Sequence, residues 1–298
     1  MNKDFAIIEI GSTNTKLHVY SENNLIYSDN ITIEFKKHYK QEQKLNETDI
    51  VALYKVIERA KEYTSNIHIY GCSIFRSITK DELESFNNEL EKKYSLKLEV
   101  VSQEDEAYYT ALGCYKNIGY TKTICVFIGG GGSVELIFAK KGEIVERKFF
   151  NFGVVDITSK FESLKEDIPN VSFDDVYKYV DECVGEMNQK ADVLILAGGD
   201  HLYWYNNAQF ELFPNTLYSD SKQQYMIPID KSDEYDRKAY KISLDAVRLR
   251  SDNPIWFDGS RAMKALTNVI SHKIDAKYVI PTKINMEDGL RERLNEQR

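Results

Sequence analysis

The chain lacks any long apolar run. The stretch Ile124–Ile128 is apolar but stops at a glycine, far short of the ~18 consecutive apolar residues of a membrane span. No basic region followed by an apolar stretch opens the chain, so no secretory signal is expected. Cysteine is scarce: Cys72, Cys114, Cys125 and Cys183 are scattered, with no Cys-x-x-Cys and no metal-ligand spacing. They read as reduced thiols of a cytoplasmic protein. Histidine is scarce too, and His18, His68 and His272 lie in or beside apolar periodic stretches, as structural residues do. Positive charge is in deficit, 39 Lys and Arg against 47 Asp and Glu, a net charge of −8. That balance argues against binding to a nucleic-acid duplex, which calls for a basic surface. It leaves room for a phosphate ligand, because a few N–H groups and one or two arginines invert the field locally. The short basic stretch from Lys36 to Lys40 reads as a solvated loop. No Gly-Lys-Ser/Thr occurs, so a P-loop is excluded.

What is present is glycine in two places. One loop sits in Phe5-Ala-Ile-Ile-Glu-Ile-Gly-Ser-Thr-Asn-Thr-Lys-Leu-His-Val-Tyr20, the other in Ile124-Cys-Val-Phe-Ile-Gly-Gly-Gly-Gly-Ser-Val-Glu-Leu-Ile-Phe138. Without a Cβ, such loops let backbone N–H groups approach phosphate oxygens. Each loop is followed by a strand-like run, at 15–20 and 133–138, rather than by a helix. Each therefore turns a hairpin, which separates it from the dinucleotide fingerprint. Gly11, Ser12, Thr13 and Asn14 on one side, and Gly130, Gly131, Gly132 and Ser133 on the other, are the candidate phosphate ligands. Tight turns are the alternative for the same residues.

The 298 residues, 42% of them hydrophobic, suffice for one large or two medium domains. The pattern predicts strands at 5–10, 15–20, 30–35, 67–70 and 97–101. It predicts helices at 47–64, capped by Asn46, at 80–94, and from Ser102 to about 115. From Thr123 the theme restarts with three strands, helices at 154–163 and 173–188, and a buried strand at 193–197 ending in Gly198-Gly199-Asp200. Helices at 236–249, 259–273 and 286–296 and a strand at 277–280 follow, while 205–235 is left unassigned. Tyr203-Trp204-Tyr205 reads as packing, with stacking on a base as the alternative. The restart is an internal repeat of about 120 residues. It predicts two α/β domains, 1–118 and 119–298, with a cleft between them and the last helix packing back on the first domain.

Five segments, in order, resemble the exopolyphosphatase / guanosine pentaphosphate phosphohydrolase (Ppx/GppA) family of the actin–hexokinase–Hsp70 superfamily. Glu9-Ile-Gly-Ser-Thr-Asn-Thr-Lys-Leu17 is similar to that family's Asp-Ile-Gly-Ser-Asn-Ser-x-Arg-Leu. Gly71-Cys-Ser-Ile-Phe-Arg76 is similar to Ala-Thr-Ser-Ala-x-Arg, and Ser102-Gln-Glu-Asp-Glu-Ala107 with Leu112-Gly113 to Ser-Gly-x-Glu-Glu-Ala and Leu-Gly. Gly130-Gly-Gly-Ser-Val-Glu-Leu136 is similar to Gly-Gly-Gly-Ser-Thr-Glu-Leu, and Phe152-Gly153 and Gly289-Leu-Arg-Glu292 resemble further positions. Three departures stand out. The first-motif acid is Glu9 and its Arg is Lys16, and where the family has a second acid this chain has Ile128.

The resemblance implies two actin-like (ribonuclease H-like) α/β domains. It also implies a phosphohydrolase acting on short polyphosphate or a guanosine pentaphosphate-like nucleotide. Glu106 is then the water-orienting base and Arg76 a phosphate-binding partner in catalysis. A first-turn acid and a helix-start arginine are their bland counterparts. A magnesium ion is expected at Glu9, with Glu135 as a second ligand through water. Asp200 is a further acid for the site or an ordinary turn residue. A phosphate-sensing binding module, favoured by the loss of the acid at Ile128, is the rival reading, and a small-molecule kinase a weaker one. No membrane partner is expected, and self-association into a homodimer is compatible with the resemblance.

Overall fold

The computed structural model describes residues 4–11, 14–22, 24–116, 118–251 and 253–296. The loop residues Ser12 and Thr13 lie outside them. Two compact units emerge, one of residues 1–106 and 293–298, the other of residues 107–292.

The first unit begins with β1 (Phe5–Ile10), β2 (Asn14–Ser21) and β3 (Asn24–Thr32). It continues with α1 (Phe35–Glu42), α2 (Glu47–Lys61), β4 (Ile67–Gly71), a 3-10 turn at Ser73–Arg76, α3 (Lys80–Tyr94) and β5 (Leu98–Val100). Helix α4 (Gln103–Tyr115) starts here and carries the chain into the second unit. The sheet order is β3-β2-β1-β4-β5, with β1, β4 and β5 parallel and the β1-β2-β3 meander antiparallel. Helix α2 forms where expected: the Asn46 side chain accepts from the Thr48 and Asp49 N–H groups at 2.8 and 3.3 Å. Leu53, Val56, Ile57 and Ala60, at helical spacing, bury its inner stripe against Ile8, Ile10, Leu17 and Val19 of the sheet. Each such side chain contributes about 1.5–3 kcal/mol of burial. The stretch expected as a solvated loop is instead helix α1. Lys36, Lys37 and Lys40 are exposed as expected, but Phe35, 1% exposed, packs edge-on against Phe75 and anchors a helical turn.

The second unit repeats the meander as β6 (Thr123–Gly129), β7 (Val134–Lys140) and β8 (Glu143–Phe150). There follow α5 (Val154–Lys160), a 3-10 turn at Glu162–Lys165, α6 (Phe173–Val184), β9 (Val193–Leu196) and α7 (Asp200–Asn207). The chain ends with β10 (Phe213–Pro214), β11 (Tyr225–Pro228), α8 (Ile229–Ala239), α9 (Leu244–Arg248), a 3-10 turn at Pro254–Gly259, α10 (Ser260–Lys273), β12 (Tyr278–Pro281) and α11 (Met286–Glu296). Its sheet order is β10-β11-β12-β9-β6-β7-β8, with β6, β9 and β12 parallel. The single helix expected at 236–249 is two, α8 and α9. The buried Arg261 explains the break: its guanidinium donates to the carbonyls of Ala239, Leu164, Glu166, Asp167 and Ile242 at 2.7–3.2 Å. The bonds to Ala239 and Ile242 satisfy carbonyls that a continuous helix would have used. The Tyr203-Trp204-Tyr205 cluster is packing, since Trp204 and Tyr205 are buried in the core of this unit. Among the described residues no helix is long and apolar enough to cross a membrane.

The internal repeat is visible in detail. Gly11 N–H donates to the Asn14 carbonyl at 2.9 Å, and Gly130 N–H to the Ser133 carbonyl at 2.9 Å. Glu22 and Lys141 hold the same place in the next turn, both with positive φ. The β2–β3 ladder skips Ile26, and the β7–β8 ladder skips Val145 at the matching position. Each is a one-residue β-bulge on an outer strand, and both residues are 53% exposed. Close packing explains two glycines of the family-like motifs. A Cβ on Gly153 would lie 2.6 Å from the carbonyl oxygens of Gly130 and Gly131, and one on Gly289 would meet the Tyr109 backbone.

Candidate active site

In the first unit the site residues gather at the carboxyl ends of the parallel strands, where open α/β sheets bind ligands. Gly11 follows β1, Arg76 closes the turn after β4, and Glu106 lies in the first turn of α4 after β5. Backbone bonds tie these segments together: Cys72 N–H to Ile10 O and Val101 N–H to Gly71 O, both 2.9 Å. Ser102 caps α4 through the Asp105 N–H at 3.0 Å. The Arg76 Nε donates to the Val101 carbonyl at 2.7 Å, and its Nη2 donates to the Glu106 carboxylate. The other guanidinium N–H groups have no protein partner among the described residues. Both side chains remain partly exposed. A fork anchored at one corner, with free donors beside a solvent-accessible carboxylate, can grip a phosphate and position a water next to it.

The second unit carries a glycine hairpin of its own. Gly130–Gly132 follows β6 and Asp200 follows β9. Val154 and Val155 N–H donate to the carbonyls of Gly130 and Gly131 at 3.2 and 2.7 Å. The carbonyls are thus occupied from within. No protein group takes the N–H of Gly131 or Gly132 among the described residues. Gly130, Gly131 and Gly132 are exposed and Ser133 half-buried. Their surface is a set of amide donors, which suits an anion. Beside the loop lies a cavity of about 160 Å³ lined by Gly129–Gly131, Val154, Asp200, Trp256, Gly259, Ser260 and Met263. Asp200 is exposed overall, yet the cavity walls strip enough water from its carboxyl to raise its pKa, while a bond from Trp256 pulls it back. The Gly-Gly-Asp turn signals Asp200 in sequence. Nothing there signals Trp256, which arrives from more than fifty residues downstream.

The metal expectation meets a thin donor set. Glu9 is the register partner of Lys16 across β1–β2, and the Lys16 ammonium lies 3.0 Å from its carboxylate. At the matching place in the second hairpin Ile128 faces Glu135, so the second acid has no substitute on that strand. Glu135 is buried and accepts from the Ser133 hydroxyl at 3.2 Å. Among the described residues no group of three or more His, Cys, Asp or Glu is arranged to hold a metal ion.

Two mixed sheets with flanking helices, each opening on a glycine hairpin, define a two-domain actin-like α/β protein. The chain belongs to the Ppx/GppA phosphatase family, whose model matches residues 18–208. Among solved structures it is similar to the type II variant of the Aquifex aeolicus Ppx/GppA phosphatase, with a TM-score of 0.79 at 17% identity over 96% of this chain and 97% of that one. A second Aquifex aeolicus family-member structure matches with a TM-score of 0.74 at 17% identity, covering 100% and 99%. An exopolyphosphatase from Cytophaga hutchinsonii matches with a TM-score of 0.71 at 14% identity, covering 99% and 98%. At these identities the likeness speaks for the fold. No curated protein matches the sequence.

Proposed function

We propose that the chain is a phosphohydrolase that releases terminal phosphate from short polyphosphate or a guanosine pentaphosphate-like nucleotide. The observation that carries this reading is the Arg76–Glu106 contact at the carboxyl edge of the first sheet, beside Gly11. Phosphoryl transfer asks the protein mainly for positioning and charge stabilisation. Arg76 turns its free N–H donors to the terminal phosphate. The Gly131 and Gly132 amides, with Ser133, are anion donors on the second hairpin, and Gly11, Ser12, Thr13 and Asn14 are the expected phosphate ligands of the first. As the phosphate draws Arg76 toward itself, the Glu106 carboxylate accepts a proton from a water and aims its lone pair at phosphorus. A magnesium ion, if bound, would be held by Glu9, with Glu135 as a second ligand through water, and would supply charge neutralisation at the phosphate. A cytoplasmic location accords with four free cysteines.

Ile128, in place of the family acid, favours a second reading: a phosphate or nucleotide sensor without fast turnover. Phosphate release from tripolyphosphate and guanosine pentaphosphate, with and without Mg²⁺, separates the two. The hydrolase reading expects release that drops by two to four orders of magnitude in Glu106→Gln, the usual worth of a general base. Release from the unaltered chain no faster than from Glu106→Gln, alongside a measurable binding heat, selects the sensor.

A further inference from the structure

We propose that the second unit holds a separate site for a small organic phosphate. It is the cavity on the other side of α7 from the glycine hairpin, with the phosphate between the Lys222 and Lys283 ammonium groups and the organic body against Leu202 and Tyr225. The inference does not rest on the hydrolase reading.

The cavity measures about 460 Å³, within the roughly 300–1,000 Å³ of small-molecule pockets. Like the cavity beside the hairpin, it lies at the carboxyl ends of parallel strands, here β9 and β12. Helix α7 divides the two. Asp200 lines the first, while Leu202 and Asn206, four residues apart on the opposite helix face, line the second. Backbone bonds fix the place of Lys283: Gly198 N–H donates to Ile284 O and Gly199 N–H to Thr282 O, both at 2.8 Å. Lys222 is fixed as firmly. The Thr282 hydroxyl donates to its carbonyl at 2.9 Å, and the Asp220 carboxylate accepts its N–H at 2.8 Å. The next residue, the buried Gln223, donates from its side-chain amide to the Cys114 carbonyl at 2.8 Å. The two lysines therefore leave neighbouring, well-tied stretches of backbone.

An exposed lysine is ordinarily a solvated charge. The surroundings set this pair apart. In a chain of net charge −8, no Asp or Glu is among the described residues that line the cavity. Two acids of the adjoining loops are already spent: Asp220 on the Lys222 and Gln223 N–H groups, and the buried Asp288 on the Lys222 ammonium and the Asn285 N–H. An ammonium has three donors, so Lys222 can keep Asp288 and still serve a phosphate oxygen. Lys283 has no protein partner among the described residues, nor have the side chains of Ser221, Gln224 and Asn206 beside it. A phosphate monoester carries about −1.5 to −2 charge at neutral pH, which two ammonium groups match better than they match a single carboxylate. Leu202 and the Tyr225 ring offer apolar surface, which suits an organic body and gives inorganic phosphate nothing.

Two measurements on the whole chain test this. Pyridoxal 5′-phosphate reads the location, because its aldehyde condenses with an amine held beside its phosphate, losing water, and borohydride then reduces the new C=N bond to a stable amine. Peptide mass spectrometry should find Lys283 or Lys222 labelled. Phenyl phosphate should suppress that label at least fivefold, inorganic phosphate less, and neither should change the label on the remote, exposed Lys97. Titration calorimetry with phenyl phosphate should show at least tenfold weaker binding to Lys283→Glu, and binding to Gly132→Ala within twofold of wild type. Lys283→Gln, a milder exchange, should weaken binding in the same direction, and circular dichroism verifies that each variant folds. Label spread evenly over the exposed lysines overturns the proposal. So does a lack of protection by phenyl phosphate, or unchanged binding in both Lys283 variants. Binding lost in Gly132→Ala and kept in Lys283→Glu would move the ester to the hairpin and overturn the separate site. Protection by inorganic phosphate as strong as by the ester would overturn the role of Leu202 and Tyr225.

Discussion

Gly132 and Gly153 belong to the same loop neighbourhood and differ in what surrounds them. A Cβ on Gly132 would meet no protein atom within 4 Å, whereas one on Gly153 would press on two backbone carbonyls. Gly132→Ala should therefore leave the fold intact, with a stability change within about 1 kcal/mol. If its N–H surface receives phosphate, the new methyl group stands in the ligand's way. The expected outcome is an unchanged thermal midpoint together with at least a tenfold weaker binding of imidodiphosphate by titration calorimetry. Unchanged binding would assign the glycines to turn geometry alone. At this scale the sequence was informative about residue type and uninformative about partners. Glycine, Arg76 and Glu106 announce themselves by motif. That Lys16 lies on Glu9, or that Trp256 walls the cavity beside Asp200, depends on strand register and long-range packing, which no local pattern encodes.

Capped helices were legible because their signals are local. Asn46 and Ser102 sit where the first unsatisfied N–H groups need acceptors, and both helices begin there. The α8–α9 break was not legible, because its cause is Arg261, about twenty residues further along the chain. Likewise α1 depends on Phe35 finding Phe75, not on the lysines that dominate its composition. The contact of α10 with α8 has a pH dependence. His272, in the last turn of α10, bonds Asp233 at 2.8 Å, and this bond, with Asp233 and Asp236 nearby, raises its pKa against burial and the opposing charge of Arg237. A histidine whose folded pKa exceeds its unfolded one stabilises most fully below the unfolded value of about 6.5, and that contribution fades as pH rises through the folded value. Wild type and His272→Gln should therefore differ most in urea midpoint near pH ~5.5 and converge by about pH 8.5. A gap that widens with pH would contradict the assignment. The magnitude is small, because the side chain is nearly half exposed.

For the whole molecule, net charge bears on the substrate proposed. If the chain hydrolyses polyphosphate, a net charge of −8 disfavours an extended polyanion and favours short chains. Rates measured per chain end should fall as polyphosphate lengthens from a few units to hundreds, read as kcat/KM by phosphate release. Equal values across lengths would require a basic track that the composition does not suggest. The division into two α/β units with twin hairpins was legible as a repeat with its glycine loops. The depth of the likeness was not, because a bulge leaves no mark in composition.

The paired bulges have a mechanical consequence. Ile26 and Val145 are each one extra residue at the same step of an outer strand, just past turns that match at Glu22 and Lys141. An unpaired residue interrupts the ladder and increases the local twist. Both β3 and β8 are edge strands of their sheets. Each edge is thus bent at the same step, which blunts it as a template on which a foreign strand could pair.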